Sequence, residues 1–203
     1  LLLLLVGDAQ APVRDSTEYV VLNHGRSAGE MQIVATGDSI AVHYFHIDRQ
    51  RGPRVEGFYR LNLGRPVWGE VRTSGAQTAT DISGKPVVLS IEHFDIRGGA
   101  VRSWTDGDTT SAAAPVGTFY VPRTTTPFDD AVLAAYLLRQ PNRTAATVPA
   151  GTARVEIAAD TVVPVGGRTV GVRLAVIHGI GFAPSLVWLD ERGGLFASSA
   201  AWF

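Results

Sequence analysis

Apolar and polar residues alternate with a period of two along most of this chain, which is the pattern of half-buried β-strands. In Thr169 to Ile177, Val170, Val172, Leu174 and Val176 stand opposite Gly171, Arg173 and Ala175. Val55 to Leu63 sets Tyr59, Leu61 and Leu63 against Glu56, Arg60 and Asn62. Strands are also expected over Glu18 to Leu22, Gly29 to Ala35, Val67 to Thr73, Gly117 to Val121, Arg154 to Ala158 and Thr161 to Val165. Ile40 to Ile47 is apolar on both faces, which predicts a central strand covered on both sides. Gly98-Gly99, Gly166-Gly167 and Gly193-Gly194 fall between strand-like runs, so hairpins and antiparallel neighbours are expected throughout, with no parallel crossover. Ser74 to Lys85, Thr105 to Ala114 and Pro141 to Gly151 read as loops.

One stretch breaks the period. Thr126 to Gln140 carries Phe128, Val132, Ala135 and Tyr136 on one stripe, with Leu133 and Leu137 beside it. It predicts a helix that is covered on more than one side. Thr126 is placed to cap it, Pro127 suits its first position, and Asp129 and Asp130 sit where the helix dipole favours negative charge. Asp129 stands three residues after Thr126, a capping-box spacing. Arg139 complements the far end and Pro141 stops it. The fold expected is mainly β (α+β): a curled antiparallel sheet or half-barrel wrapped around a single α-helix.

Composition adds bounds. The chain has 203 residues, 45% hydrophobic and 18% charged, which suits one globular domain. A formal net charge of -1 gives no footprint for nucleic acid or an anionic membrane. With no cysteine, disulfides and thiolate chemistry are excluded. Leu1 to Val6 followed by Gly7 to Ala11 reads as a signal-peptide remnant over residues 1–11, ahead of one β-rich domain over 12–203. Six apolar residues are too few to span a bilayer, so stable membrane insertion is not expected. The expected location is periplasmic or secreted.

Candidate chemistry is sparse. His43 and His46 are three apart, which on a strand puts them on opposite faces. Glu92 and Asp95 are separated in the same way. Gly179-Ile180-Gly181 has too few glycines for a dinucleotide loop, and the chain has no P-loop and no Gly-x-Ser-x-Gly elbow. Asp106 and Asp108 lack further ligands at calcium-loop spacing. No catalytic or metal-ligating residue is assigned. The aromatics stand out instead: Tyr44, Trp68, Phe119, Tyr136, Trp188, Trp202 and Phe203 are the candidates to line a cavity or an interface. The alternative, rings that pack against the helix, stays open beside it.

The later half of the chain then carries recognisable turns. Val148-Pro149-Ala150-Gly151 precedes Ala153-Arg154-Val155-Glu156, and Ile177-His178-Gly179-Ile180-Gly181-Phe182 precedes Pro184. Val187-Trp188-Leu189-Asp190 and Gly194-Leu195-Phe196-Ala197 follow. With Phe119-Tyr120-Val121-Pro122 and the Gly25-Arg26-Ser27-Ala28-Gly29 turn, these resemble the N-terminal accessory region of secreted bacterial metal-dependent amidohydrolases, the imidazolonepropionase-like group. The resemblance spans roughly residues 18 to 203. It implies a β-rich domain in front of a catalytic TIM barrel that hydrolyses C–N bonds. It carries over no catalytic residue, since no two histidines here are two apart as that family's metal pair requires. No cofactor is expected in this segment; the expected partner is a C-terminal catalytic barrel of the same chain, with a homo-oligomer left open. The half-barrel also looks like the periplasmic lipoprotein-carrier fold, which sets a free carrier of a lipophilic ligand as the competing function.

Overall fold

A computed structural model describes residues 14–47, 52–75, 88–149 and 151–199. The leader-like residues 1–11, nearly all of the Ser74 to Lys85 loop, Trp202 and Phe203 lie outside them.

Eight strands form an up-and-down meander in which every neighbour is antiparallel. They are β1 (Arg14–Asn23), β2 (Arg26–Thr36), β3 (Ser39–His46), β4 (Arg54–Asn62), β5 (Arg65–Ser74), β6 (Val88–Arg97), β7 (Ala100–Thr105) and β8 (Asp108–Ala113). The sheet curls into a half-barrel. Register shifts at Val21/Leu22, Arg60/Leu61 and Thr73/Ser74 mark β-bulges, which bend a strand and sharpen its twist. Met31, Val42, Val55, Tyr59, Val71 and Phe94 point inward. Gly69 also faces inward, under the Phe94 ring, where a Cβ would collide with it. Gly69→Ala is therefore expected to cost about 1–3 kcal/mol through overpacking, read as a lower urea midpoint at unchanged m.

A second sheet follows, in the order β14-β13-β12-β11-β10-β9. Its strands are β9 (Phe119–Tyr120), β10 (Thr144–Val148), β11 (Gly151–Val165), β12 (Arg168–His178), β13 (Ser185–Asp190) and β14 (Leu195–Ser199). Helix α1 (Pro127–Leu138) lies between β9 and β10 and is the only α-helix among the described residues.

Its start follows the sequence closely. The Thr126 side chain accepts from the Asp129 N–H, and the Asp129 carboxylate accepts from the Thr126 N–H at 2.7 Å. Two of the donors that a helix start leaves orphaned are thus satisfied reciprocally. The helix is a plug between two cores. Leu133, Ala134 and Leu137 pack with Val155, Ile177, Val187 and Leu189 of the second sheet. Phe128 packs into the half-barrel, and Val132 touches both cores. Hydrogen bonds that join the two layers include Tyr19 Oη to Leu195 O (2.6 Å), Arg65 Nη1 to Thr118 O (2.6 Å) and Arg139 Nη2 to Leu63 O (3.4 Å).

Several expectations need correction. The strands make two sheets, and the helix meets the smaller one over most of its length. Pairing is not antiparallel throughout: β9 and β10 are parallel, and α1 is their crossover. The Thr105 to Ala114 stretch contains β8, paired to β7 across the Asp106-Gly107 turn, where both residues have positive φ. Within Pro141 to Gly151, residues 144–148 form β10. Arg154 to Val165 is one continuous strand with a bulge between Ile157 and Ala159. Finally, β3 lies within the sheet but is covered on one side only, since His43 on its outer face and Ile47 just past its end are exposed.

Candidate functional site

The interior of the half-barrel is where a ligand or a reaction would sit in a curled sheet. Here side chains occupy it. The Tyr120 ring, brought in by β9, stacks on Phe94 at 4.2 Å between centroids and an interplanar angle of 17°. Phe128, on the first turn of α1, meets Tyr59 at 5.6 Å.

One polar cluster is enclosed with them. Alternation along β6 turns Glu92 inward beside Phe94, and it is 3% exposed. Its Oε1 accepts from Tyr120 Oη at 2.6 Å, and its Oε2 from the Arg123 N–H at 2.9 Å. The carboxylate thus clamps the β9–α1 connection onto the meander. Burial, and then the bond to Glu92, push the Tyr120 phenol well up. Asp129 is the second buried carboxylate. Burial raises its pKa and the two Thr126 hydrogen bonds resist that rise. Tyr59 is raised by burial first and by the nearby Asp129 charge second, and its hydroxyl has no hydrogen bond of good geometry. Both acids are tied into the fold, Glu92 through both oxygens and Asp129 through Oδ2.

Asp130 differs. Burial first, then the Asp129 charge, push its carboxyl from 3.8 up to about 7, while a Ser185 hydrogen bond opposes the rise; its Oδ1 has no partner. The folded protein therefore holds a proton that the unfolded chain releases near pH 4. The folded state binds more protons between about pH 4 and pH 7, so stability falls as pH rises through that window. Asp130→Asn is expected to raise the melting temperature at pH 8 and leave it nearly unchanged at pH 4. The gain should be about 1–2 kcal/mol, net of the favourable helix-dipole interaction that the aspartate loses. Thermal unfolding of both proteins at the two pH values reads the difference.

The aromatic candidates do not converge on one wall. Phe119 and Tyr136 meet at 5.6 Å in the core between α1 and the second sheet, where the Tyr136 hydroxyl donates to Gly117 O at 2.8 Å. Tyr44 lies on the inner face of β3 and bonds His46 Nδ1 at 3.0 Å. Trp68 is on the outer face of β5, in a groove of about 180 Å³ with Phe58, Arg60 and Val34. Trp188 is on the face of β13 turned away from the helix.

The larger grooves are also on the outside. One of about 570 Å³ crosses β1 to β4 between two outward rows. Glu18, Gln32, His43 and Glu56 form one row, and Val20, Glu30, Phe45 and Arg54 the other. Arg54 lies over the Phe45 ring at 5.3 Å. Farther across this face, Glu70 pairs with Arg72 and, at 3.3 Å, with His93 Nδ1.

Among the described residues, no group of three or more His, Cys, Asp or Glu side chains is arranged to hold a metal. No described helix is long and apolar enough to cross a membrane. The clamp that Glu92 makes was not read from the sequence. Its only sign there is a carboxylate two residues before Phe94 on the inward side of an alternating strand.

No protein family matches this chain, and no curated protein or solved structure matches it.

Proposed function

We propose that this chain is the non-catalytic front domain of a secreted or periplasmic metal-dependent amidohydrolase, joined to a C-terminal barrel that hydrolyses C–N bonds. The observation that carries this reading is the filled half-barrel: Tyr120, Phe128 and Tyr59 occupy the volume that a ligand-binding sheet leaves open. The Glu92 clamp and the Thr126–Asp129 box hold those side chains in place. The motifs from Phe119 to Pro122 and from Val187 to Asp190 support the family. They fall on β9 and β13, at the junction of the two layers and on the second sheet.

The competing reading is a carrier for a lipophilic ligand, which needs an apolar cavity. The 570 Å³ groove has Glu18, Glu30, Arg54 and Glu56 in its walls, a poor match to an acyl chain.

Sequencing the reading frame past Phe203 and producing the barrel with and without residues 12–203 tests the proposal. A His-x-His strand beyond Phe203 is expected, together with loss of soluble or active barrel when the front domain is removed. A stop codon in place of a barrel refutes it, as does a barrel whose yield and turnover are unchanged by the deletion.

A further inference from the structure

The outer face of the meander carries large rings that neither core uses. Phe45, Phe58 and Trp68 belong to neither hydrophobic cluster, and Phe58 is 37% exposed. Register sets them on one diagonal. Trp68 on β5 stands in the row of Arg60, and Phe58 on β4 in the next outward row, beside Ala41. His43 on β3 follows in the row of Glu56, and Phe45 in the row of Arg54. The track moves one outward row at each step, so it runs about 20 Å across the sheet. Trp68 and Phe58 line the groove of about 180 Å³, and His43 and Phe45 line the one of about 570 Å³. An edge-to-face contact between the Phe58 and His43 rings, at 6.3 Å, joins the two. Polar side chains flank the rings: Glu18, Glu30, Gln32, Glu56 and Arg54 in the larger groove, Ser39 and Arg60 in the smaller.

We propose that this diagonal is a binding site for a neutral polysaccharide, a role that stands apart from the front-domain reading. The side chains select that chemistry. The face of an aromatic ring is negative and attracts slightly positive C–H bonds. A pyranose presents such bonds on its flat face. Its edge carries hydroxyls, which need hydrogen-bond partners once they leave water. Rings in a line, with carboxylates, a carboxamide and guanidinium groups beside them, supply both kinds of contact. The length of the track suits a chain of sugars better than one small molecule. Charge removes the other partners that stack on rings or fill grooves. In the larger groove Glu18, Glu30 and Glu56 stand beside Arg54, so carboxylates outnumber guanidinium groups there. That field repels phosphate, which rules against a nucleic acid strand and an anionic lipid headgroup. An acyl chain would strip water from the same carboxylates and return no hydrogen bond, whereas a polyol replaces that water with its own hydroxyls. The Arg54 guanidinium lies over the Phe45 ring at 5.3 Å, which holds it as a donor at the end of the track.

Affinity electrophoresis of the protein in native gels containing soluble glucan, xylan or galactomannan tests this. At least one polysaccharide is expected to retard migration, and added salt should leave the retardation unchanged, because no ion pair is involved. Trp68→Ala and Phe58→Ala should each weaken binding about tenfold, as loss of an aromatic anchor does. Trp68→Tyr should keep most of the binding. Phe182→Ala, at an exposed position between β12 and β13, should keep all of it. Thermal melts of each variant ensure that folded proteins are compared. Normal mobility in every gel overturns the proposal. Retardation that survives both alanine substitutions also overturns it, since the sugar then sits elsewhere. An oligo-lysine peptide is the counter-probe. If that peptide binds, salt releases it and no polysaccharide retards the protein, the groove takes basic peptides and the proposal is wrong.

Discussion

Leu133→Asp is expected to leave no cooperative unfolding transition. Leu133 is 2% exposed and stands among Leu137, Val155, Ile177 and Leu189, where the helix closes the core of the second sheet. Truncation to alanine alone costs about 2–5 kcal/mol at such a site. A carboxylate there must also be desolvated without a partner or take up a proton. The two effects together reach the total stability of an ordinary domain, about 5–15 kcal/mol. Because Val132 on the same helix touches both cores, the damage is expected to spread to the meander. Circular dichroism during heating should show a broad, non-cooperative decline, while Leu133→Ala keeps a sharp transition at lower temperature. A Leu133→Asp protein melting within a degree of the parent would mean that the helix is not the plug described here.

Glu92→Ala is expected to cost about 3 kcal/mol and lower the melting temperature by about 10 °C, since hydrogen bonds to a charged group are worth about 1.5–3 kcal/mol. The substitution strands two donors, the Tyr120 hydroxyl and the Arg123 N–H, with no acceptor in the interior. Glu92→Gln should fall between the two proteins. Its one carbonyl oxygen can serve either donor, but its amide NH₂ opposes the other. Thermal melts of the three proteins give the ranking. Equal melting temperatures for wild type and Glu92→Ala would show that the clamp contributes nothing.

Local signals were the legible ones. The helix could be bounded from Thr126, Pro127 and Asp129 because its cap is built from neighbours in sequence. The Gly98-Gly99 and Gly166-Gly167 turns gave correct hairpins for the same reason, with positive φ at all four residues. Pairings set by tertiary packing were not legible. Nothing in the Phe119 to Val148 stretch announces that β9 runs parallel to β10, because that bond is closed across an intervening helix. The split into two sheets is hidden likewise: strand periodicity reports which face is buried, not which sheet a strand joins. β8 escaped because both its faces are exposed, leaving Asp-Thr-Thr-Ser-Ala-Ala without alternation. At the candidate site, the sequence marked out Phe119, Tyr136 and Trp188 but could not assign them to different surfaces. Glu92 went unread because its partners, Tyr120 and Arg123, lie 28 and 31 residues away.

The central claim is that the half-barrel is filled by its own helix and β9 rather than by a ligand. Native mass spectrometry of the protein purified from cells under non-denaturing conditions addresses it most directly. A single species at the mass of the polypeptide is expected. A stoichiometric adduct of lipid mass, released only on unfolding, would contradict it.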